Sequence, residues 1–112
     1  SLGTFFPGKG MAVYGASKAF LNYYSQALQA ELAGSGIEVQ ALCPGFTHTE
    51  FHDSMAEGGF DRNRIPDQMW MNADAVVAAS LAALGNGQVL VVPGDDNLDF
   101  ARSGLQQQLD DL

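Results

Sequence analysis

Two side chains near the beginning of the sequence, Tyr14 and Lys18, have the types and spacing needed for proton transfer. Four residues make about one helical turn, so in a helix the phenol and the ammonium group share one face and can approach each other. A free phenol titrates at about 10, and a nearby cation favours its charged form. The pair is therefore a candidate proton donor and acceptor, although the same spacing also occurs in helices where both groups are merely solvated.

The segment around this pair has the composition of a long amphipathic helix. Residues 11–33 contain no proline and many alanines, which favours a helix. Their apolar residues recur at helical spacing, at Ala16, Phe20, Tyr23, Tyr24, Ala27, Leu28 and Leu32. Glycines at positions 34 and 36 are suited to close the helix. Residues 2–10, rich in glycine and aromatic residues, are predicted to form the loop that leads into it.

Two short apolar segments, residues 37–43 and 88–92, read as buried strands, and each is followed by a Pro-Gly pair. Between them, residues 73–84 are predicted to form a helix with Asn72 as its cap. A strand, helix, strand order implies a parallel pair joined by a right-handed crossover, and so an α/β fold. Parallel sheets usually contain more strands and are covered on both faces, so we expect further strands on the amino-terminal side.

Residues 46–72 lack a clear period and mix aromatic with acidic side chains, glycines and Pro66. We predict an irregular, partly helical segment there that acts as a substrate lid. The residues after Gly94, with three consecutive glutamines and Asp110 and Asp111, are predicted to form a fraying helical tail.

Composition excludes several classes of function. The net charge is −8 and no cluster of basic residues is present, so nucleic acid is a poor partner. The longest apolar stretches fall far short of the roughly 20 residues that span a bilayer. Cys43 is the single cysteine, which excludes an intramolecular disulfide and fits a reducing cytoplasm. The chain begins at Ser1 without a methionine or a leader, and we expect it to be a fragment.

The run from Gly10 to Phe20, which contains Tyr14-Gly-Ala-Ser-Lys18, closely resembles the active-site signature of the short-chain dehydrogenase/reductase family. In that family a catalytic serine lies thirteen residues before the tyrosine, and Ser1 stands at that position. A second family element, Pro-Gly followed by a threonine after the next strand, is similar to Pro44-Gly-Phe-Thr-His-Thr49. The resemblance covers nearly the whole chain and is closest over residues 1–51.

This resemblance implies a role for each matching residue. Ser1 would donate a hydrogen bond to the substrate carbonyl oxygen, and Tyr14 would be the general acid in reduction and the general base in oxidation. Lys18 would favour the phenolate and hold the ribose hydroxyls of the nicotinamide cofactor, NAD or NADP. Tyr14 and Lys18 would also contact the cofactor. Four further residues match the family segment that folds along it: Pro44, Gly45, Thr47 and Thr49. The implied substrate is a small alcohol or carbonyl compound, and no metal is expected.

The resemblance further implies that residues 1–112 are the carboxyl-terminal part of a single Rossmann-like domain, a doubly wound parallel sheet that binds NAD or NADP. The family's glycine-rich phosphate loop lies upstream of the serine, and we expect the amino-terminal half to be missing. Gly8-Lys-Gly10 is no replacement, because no strand precedes it and Val13 stands where the third glycine should be. The fragment alone is therefore expected to be inactive.

Other interpretations of these residues stay open. The chain could be a non-catalytic remnant that associates through the long helix, which in the resembled family commonly packs against its copy in an oligomer. It could also bind a small apolar ligand through aromatic residues of the segment 46–72. His48 and His52 beside Glu50 and Asp53 could suggest a metal site but more simply face solvent or substrate. Cys43 reads as a buried apolar residue rather than a nucleophile.

Overall fold

The computed structural model describes residues 1–48 and 65–112. Three α-helices are present in these residues: α1 (Ala12–Glu31), α2 (Ala73–Ala82) and α3 (Asp95–Asp110). Four short strands accompany them: β1 (Ala41–Leu42), β2 (Phe46–His48), β3 (Trp70–Asn72) and β4 (Leu90–Val91). Two 3-10 helices, Leu2–Phe5 and Asp67–Met69, precede α1 and β3. None of the helices in this part of the chain is long and apolar enough to cross a membrane.

Helix α1 confirms the long helix predicted over residues 11–33. The chain leaves it through two glycines with positive φ, Gly34 at 81° and Gly36 at 82°, a conformation that other residues adopt only with strain. No residue of α1 is buried, although the helix is 20 residues long. The helix therefore lies on the outside of the described structure and presents one side to the strands.

Strands β1 and β4 pair in parallel, with Ala41 opposite Leu90 and Leu42 opposite Val91. The predicted α/β class with parallel strands is confirmed. Both strands are shorter than predicted, and the side chain of Gln29 explains why β1 starts at Ala41 rather than at Ile37. Its amide donates to Ile37 O at 3.2 Å and accepts from Val39 N at 2.7 Å, so it occupies backbone groups that a neighbouring strand would otherwise pair.

The two ends of the segment predicted as a lid lie side by side. Strand β2 pairs in parallel with β3, and Phe46 is opposite Trp70. Residues 49–64 lie outside the described residues, so the lid stays a prediction. Asn72 stands at the amino-terminal cap of α2 as predicted, but its side chain makes no capping hydrogen bond. Asn72 is also the last residue of β3, so the strand leads directly into α2.

The predicted fraying tail is instead the ordered helix α3, which packs on the 3-10 helix Leu2–Phe5. Gly104 makes this approach possible, because a Cβ atom there would lie 2.2 Å from Phe5 O. The Gln108 amide donates to the same oxygen at 3.2 Å, and the rings of Phe6 and Phe100 stack at 3.9 Å. The small core lies at this contact and consists of Leu2, Phe5, Cys43 and Ala101. The composition of the tail indicated fraying because two of its buried positions, Ala101 and Gly104, are small residues that add little to a hydrophobic pattern.

Candidate active site

The first two helical turns of α1 carry Tyr14 and Lys18 on one face. The Lys18 Nζ atom lies 5.5 Å from the centroid of the Tyr14 ring. This distance places the cation close enough to interact with the ring and with charge that develops on its oxygen. The Tyr14 side chain is 38% exposed, so a substrate can reach it. The structure thus places the two side chains close together on one helix face, as their spacing in the sequence predicts.

Ser1, which precedes the first 3-10 helix, lies in the same region as Tyr14 and Lys18. It caps the 3-10 helix Leu2–Phe5, and its Oγ atom accepts a hydrogen bond from Gly3 N at 3.2 Å. The next residue, Leu2, donates its backbone N–H to Pro44 O at 2.9 Å. Because Pro44 follows β1, this hydrogen bond fixes the serine at the carboxyl end of the strand pair.

The three side chains converge. A Cβ atom on Gly3 would lie 3.4 Å from Ser1 Oγ and 4.0 Å from Tyr14 Cε1, so both groups surround this glycine. Ser1 and Lys18 also line one open cleft of ≈ 220 Å³ together with Asn22 and Gln40. The Ser1 hydroxyl and the Lys18 ammonium group therefore face one accessible cleft, and the Tyr14 phenol lies beside both of them without lining that cleft. This set can donate hydrogen bonds to an oxygen atom and exchange one proton with it.

The turn after β1 holds the remaining predicted site residues. Thr47 is buried, and its hydroxyl donates to Gly45 O at 3.3 Å, so in this structure the side chain braces the turn. Pro44 O is occupied by Leu2 N, as described above. Thr49 lies outside the described residues. The predicted contacts of this turn with a cofactor stay a prediction.

Asn97 at the start of α3 packs against this turn, and sequence reasoning missed it. The side chain is 3% exposed, and its Nδ2 atom donates to Pro93 O at 3.0 Å. Its Oδ1 atom is buried without a hydrogen-bond partner in the described structure. A Cβ atom on Gly45 would lie 2.9 Å from both amide atoms, so the glycine leaves room for the amide. Position 97 is 52 residues from position 45, and local sequence carries no signal for the contact.

Cys43 is the residue directly before this turn and is fully buried. Burial is the largest cause and raises the pKa of its thiol, and the nearby charge of the Ser1 amino group opposes the rise. The thiol therefore stays protonated at neutral pH and is unsuited to act as a nucleophile. The structural interpretation of Cys43 agrees with this environment.

Aromatic side chains gather where β2 meets β3. The Trp70 ring lies 5.4 Å from that of Phe46 and 5.1 Å from that of His48, centroid to centroid. Two aromatic residues near the beginning of the chain have structural roles instead, because Phe5 is in the core and Phe6 stacks on α3. Among the described residues, the aromatic rings of the β2–β3 pair therefore lie next to the turn that follows β1.

The sequence matches the family described as short chain dehydrogenase over residues 1–58. It is 37% identical over 76 residues to sulfoacetaldehyde reductase of Chromohalobacter salexigens, covering 68% of this chain and 29% of that protein. It is 33% identical over 105 residues to 2-dehydro-3-deoxy-D-gluconate 5-dehydrogenase of Pseudoalteromonas atlantica, covering 84% and 41%. It is 37% identical over 89 residues to 3-oxoacyl-[acyl-carrier-protein] reductase of Bos taurus, covering 76% and 37%. The chain thus spans well under half the length of these relatives, and no solved structure matches it.

Proposed function

The chain belongs to the short-chain dehydrogenase/reductase family, and on that premise we propose that the protein is an oxidoreductase that interconverts an alcohol and an aldehyde or ketone with NAD or NADP. The observation that carries the proposal is the group of Ser1, Tyr14 and Lys18, with Lys18 Nζ 5.5 Å from the Tyr14 ring. The printed names of the relatives are those of reductases and dehydrogenases, which supports the same reaction class.

In this proposal Ser1 binds the substrate oxygen. Its Oγ atom accepts the Gly3 N–H, which leaves the hydroxyl proton to be donated toward the cleft. In reduction, negative charge grows on the carbonyl oxygen, and a donor held there stabilises the transition state. The hydrogen bond from Gly3 also restricts the rotation of the hydroxyl group, so the donor is oriented before the substrate arrives.

Tyr14 moves the proton. In reduction the substrate oxygen takes the phenolic proton as the carbonyl carbon receives a hydride, and the alcohol is formed. In oxidation the phenolate takes the proton back. The ammonium group of Lys18 lies on the same helix face and stabilises the negative charge that remains on the tyrosine oxygen.

The residues present suit a nicotinamide cofactor. The Tyr14 hydroxyl and the three donors of Lys18 can bind ribose hydroxyls, and they stand at the carboxyl end of parallel strands, where α/β sheets bind dinucleotides. Gly45 in the turn after β1 has no side chain, so the backbone there can approach a bound group closely. Such a cofactor supplies or accepts the hydride, which no protein side chain can do. We propose that the turn and Thr49 contact it.

We also propose that the protein forms a homo-oligomer through α1, as the sequence interpretation suggested. Large apolar side chains on this helix are exposed, among them Val13 at 86%, Phe20 at 66% and Tyr23 at 78%. Such side chains are usually covered by another surface. This association is compatible with the enzyme and also with the non-catalytic alternative, so it does not decide between them.

Isotope transfer from the cofactor tests the reaction class. The full-length protein is incubated with NADH or NADPH deuterated at the nicotinamide C4 and with a panel of small aldehydes and ketones. The expected result is an alcohol with one deuterium on its carbinol carbon, detected by mass spectrometry. The Tyr14→Phe variant serves as the control for protein contamination and should give no product above background. Absence of deuterium transfer from either cofactor to every carbonyl would contradict the proposal.

A further inference from the structure

One amide side chain, Asn22, joins three elements that carry the site. It lies on α1 one helical turn after Lys18 and is half-buried. Its Nδ2 atom donates to Thr4 Oγ1 at 3.0 Å, and its Oδ1 atom accepts from Cys43 Sγ at 3.4 Å. Thr4 belongs to the 3-10 helix that Ser1 caps, and Cys43 directly precedes the Pro44 turn. The serine, the helix and the turn are thus connected through a single residue.

The connection continues to Ser1 itself. The Thr4 hydroxyl donates to Ser1 O at 3.1 Å, so its proton is used and its oxygen is left to accept the Asn22 amide. On the other side, Leu2 N donates to Pro44 O at 2.9 Å and links the serine segment to the turn. Together these bonds form a closed circuit that runs through Ser1, Thr4, Asn22, Cys43 and Pro44.

The orientation of the Asn22 amide is fixed by its partners. Because the Thr4 hydroxyl donates its proton to Ser1 O, its oxygen is left to accept from the amide, while the Cys43 thiol lies within reach of both Asn22 Oδ1 and Ala41 O. With the Thr4 proton on Ser1 O, rotating the amide by 180° would set two acceptors against each other at Thr4. The Thr4 contact therefore favours the orientation in which the amide nitrogen faces Thr4 and the amide oxygen faces Cys43.

We propose that Asn22 is a positioning residue that sets the distance between Ser1 on one side and Tyr14 and Lys18 on the other. The inference rests on the proposed function, since it assigns to this amide the alignment of the groups that bind oxygen and transfer the proton. Misplacement by about 1 Å can reduce turnover roughly 100-fold. Loss of the amide should thus lower kcat while leaving the groups that hold the cofactor in place.

Hydrogen exchange tests the circuit without reference to activity. In full-length protein carrying Asn22→Leu, the amides of residues 2–5 should exchange about tenfold faster, because the hydrogen bond that ties Thr4 to α1 is lost. Amides of residues 26–31 on the same helix should not change. The matched control is Gln26→Leu, an exposed position one turn further along α1. Unchanged exchange at residues 2–5 in Asn22→Leu would overturn the inference.

Kinetics test the consequence for the reaction. The Asn22→Leu variant should lose roughly 10- to 100-fold in kcat, with KM for the nicotinamide cofactor within about threefold of the wild-type value. Thr4→Val removes the same hydrogen bond from the other side, so the double variant should be no worse than the poorer single variant. Should Asn22→Leu fold poorly, Asn22→Asp keeps the volume and the acceptor for Cys43 but loses the donor. Additive effects, or an unchanged kcat beside a lowered melting temperature, would refute positioning.

A failure of the proposed function can be distinguished from a failure of the positioning role of Asn22. If the wild-type protein reduces no carbonyl with either cofactor, the proposed function fails, while the exchange experiment still decides whether Asn22 holds the serine segment. If the wild-type protein is active and Tyr14→Phe is inactive, but Asn22→Leu keeps full turnover, only the positioning role is overturned.

Discussion

At the scale of single residues, Cys43 shows how surroundings decide chemistry. Its thiol is fully buried at the end of β1 and donates a hydrogen bond to Asn22. Burial raises its pKa, so the protonated form is favoured in the folded state. The same residue type on a surface near a cation would be a nucleophile. Here it is part of the core and of the circuit around Ser1.

This environment predicts how the protein responds to pH. The folded pKa of Cys43 is raised above the unfolded value, so its contribution to stability is present below the unfolded pKa of about 8.5 and declines as pH rises above it. Denaturant unfolding at pH 7 and pH 10 should show a larger loss for the wild type than for Cys43→Ala. Alkylation by iodoacetamide at pH 8 should be slow until denaturant is added. Rapid alkylation of the folded protein would show that the thiol is accessible.

Gly45 is a second residue whose surroundings predict an outcome. The Gly45→Ala variant places a Cβ atom 2.9 Å from both amide atoms of Asn97, which is already in a tight, buried position. We expect a loss of about 1 to 3 kcal/mol in the free energy of unfolding, measured by urea titration. The control is Gly8→Ala, where the nearest atom, Phe6 O, is 3.8 Å from the added Cβ, and the expected change is under about 0.5 kcal/mol. Equal effects at both glycines would contradict the close packing.

Sequence reasoning located residues that depend on local order and missed those that depend on distant contacts. Tyr14 and Lys18 were found because helical periodicity alone places them on one face. Ser1 was found only through its fixed offset from the tyrosine in a resembled family. Asn22 had the signal of lying one turn after Lys18, but its partners, Thr4 and Cys43, are 18 and 21 residues away. Nothing local distinguishes such an asparagine from a solvated one.

At the scale of elements, the contact between α3 and the 3-10 helix Leu2–Phe5 supports the serine. In α3, Gly104 is the point of closest approach, with Phe5 O 2.2 Å and Phe6 Cζ 2.9 Å from the position of an added Cβ. The helix cannot move away without losing the Gln108 hydrogen bond to Phe5 O. A glycine in a helix interior usually lowers stability by about 1 kcal/mol relative to alanine. Gly104 is accommodated in this helix because a side chain at this position would overlap Phe5 and Phe6.

This packing reverses the usual effect of a glycine-to-alanine change. Gly104→Ala should destabilise the protein by about 2 kcal/mol, because the overlap with Phe5 O exceeds the gain in helix propensity. In α1, Gly15→Ala should instead stabilise it by up to about 1 kcal/mol, since the nearest atom, Met11 Cβ, is 3.9 Å away. Thermal unfolding followed by circular dichroism at 222 nm measures both. A gain of stability in Gly104→Ala would mean that α3 does not pack as described.

The order and type of the elements were largely predicted from the sequence, but the residues at which the strands begin and end were not. The helix and strand order followed from periodicity and from the glycines and prolines between segments. Strand β1 is shorter than its apolar run because the Gln29 side chain pairs with backbone groups of Ile37 and Val39. The ordered helix α3 was mistaken for a fraying tail because its contact relies on Ala101 and Gly104. Contacts made by small residues leave no hydrophobic pattern.

At the scale of the whole molecule, the described residues leave much apolar surface uncovered. In the described part of the chain β1 is paired with β4 alone. Helix α1 has no buried residue, and on α2 the side chains of Val77 and Leu81 are 53% and 62% exposed. Open strand edges and exposed apolar helices recruit partners. We propose that further strands and a second copy of the chain cover these surfaces.

An isolated polypeptide of these 112 residues should therefore self-associate and fail to bind a dinucleotide. Analytical ultracentrifugation at micromolar concentration should show species larger than the 11.9 kDa monomer. Calorimetric titration with NADH and NADPH should show no binding in that range. The full-length protein is the positive control and should bind one of them. A monomer that unfolds cooperatively and binds either nucleotide at micromolar concentration would show that these residues form a complete fold.

Tyr14→Phe in the full-length protein separates binding from chemistry, because it removes the transferable proton and little else. Cofactor affinity is measured by fluorescence titration with NADH or NADPH, and kcat by the loss of absorbance at 340 nm. The control is Tyr24→Phe, an exposed tyrosine on the same helix. The expected result is a fall in kcat of at least about 100-fold in Tyr14→Phe, with cofactor affinity within about threefold and no change in Tyr24→Phe. Wild-type turnover in Tyr14→Phe would contradict the assignment of this tyrosine as the proton donor.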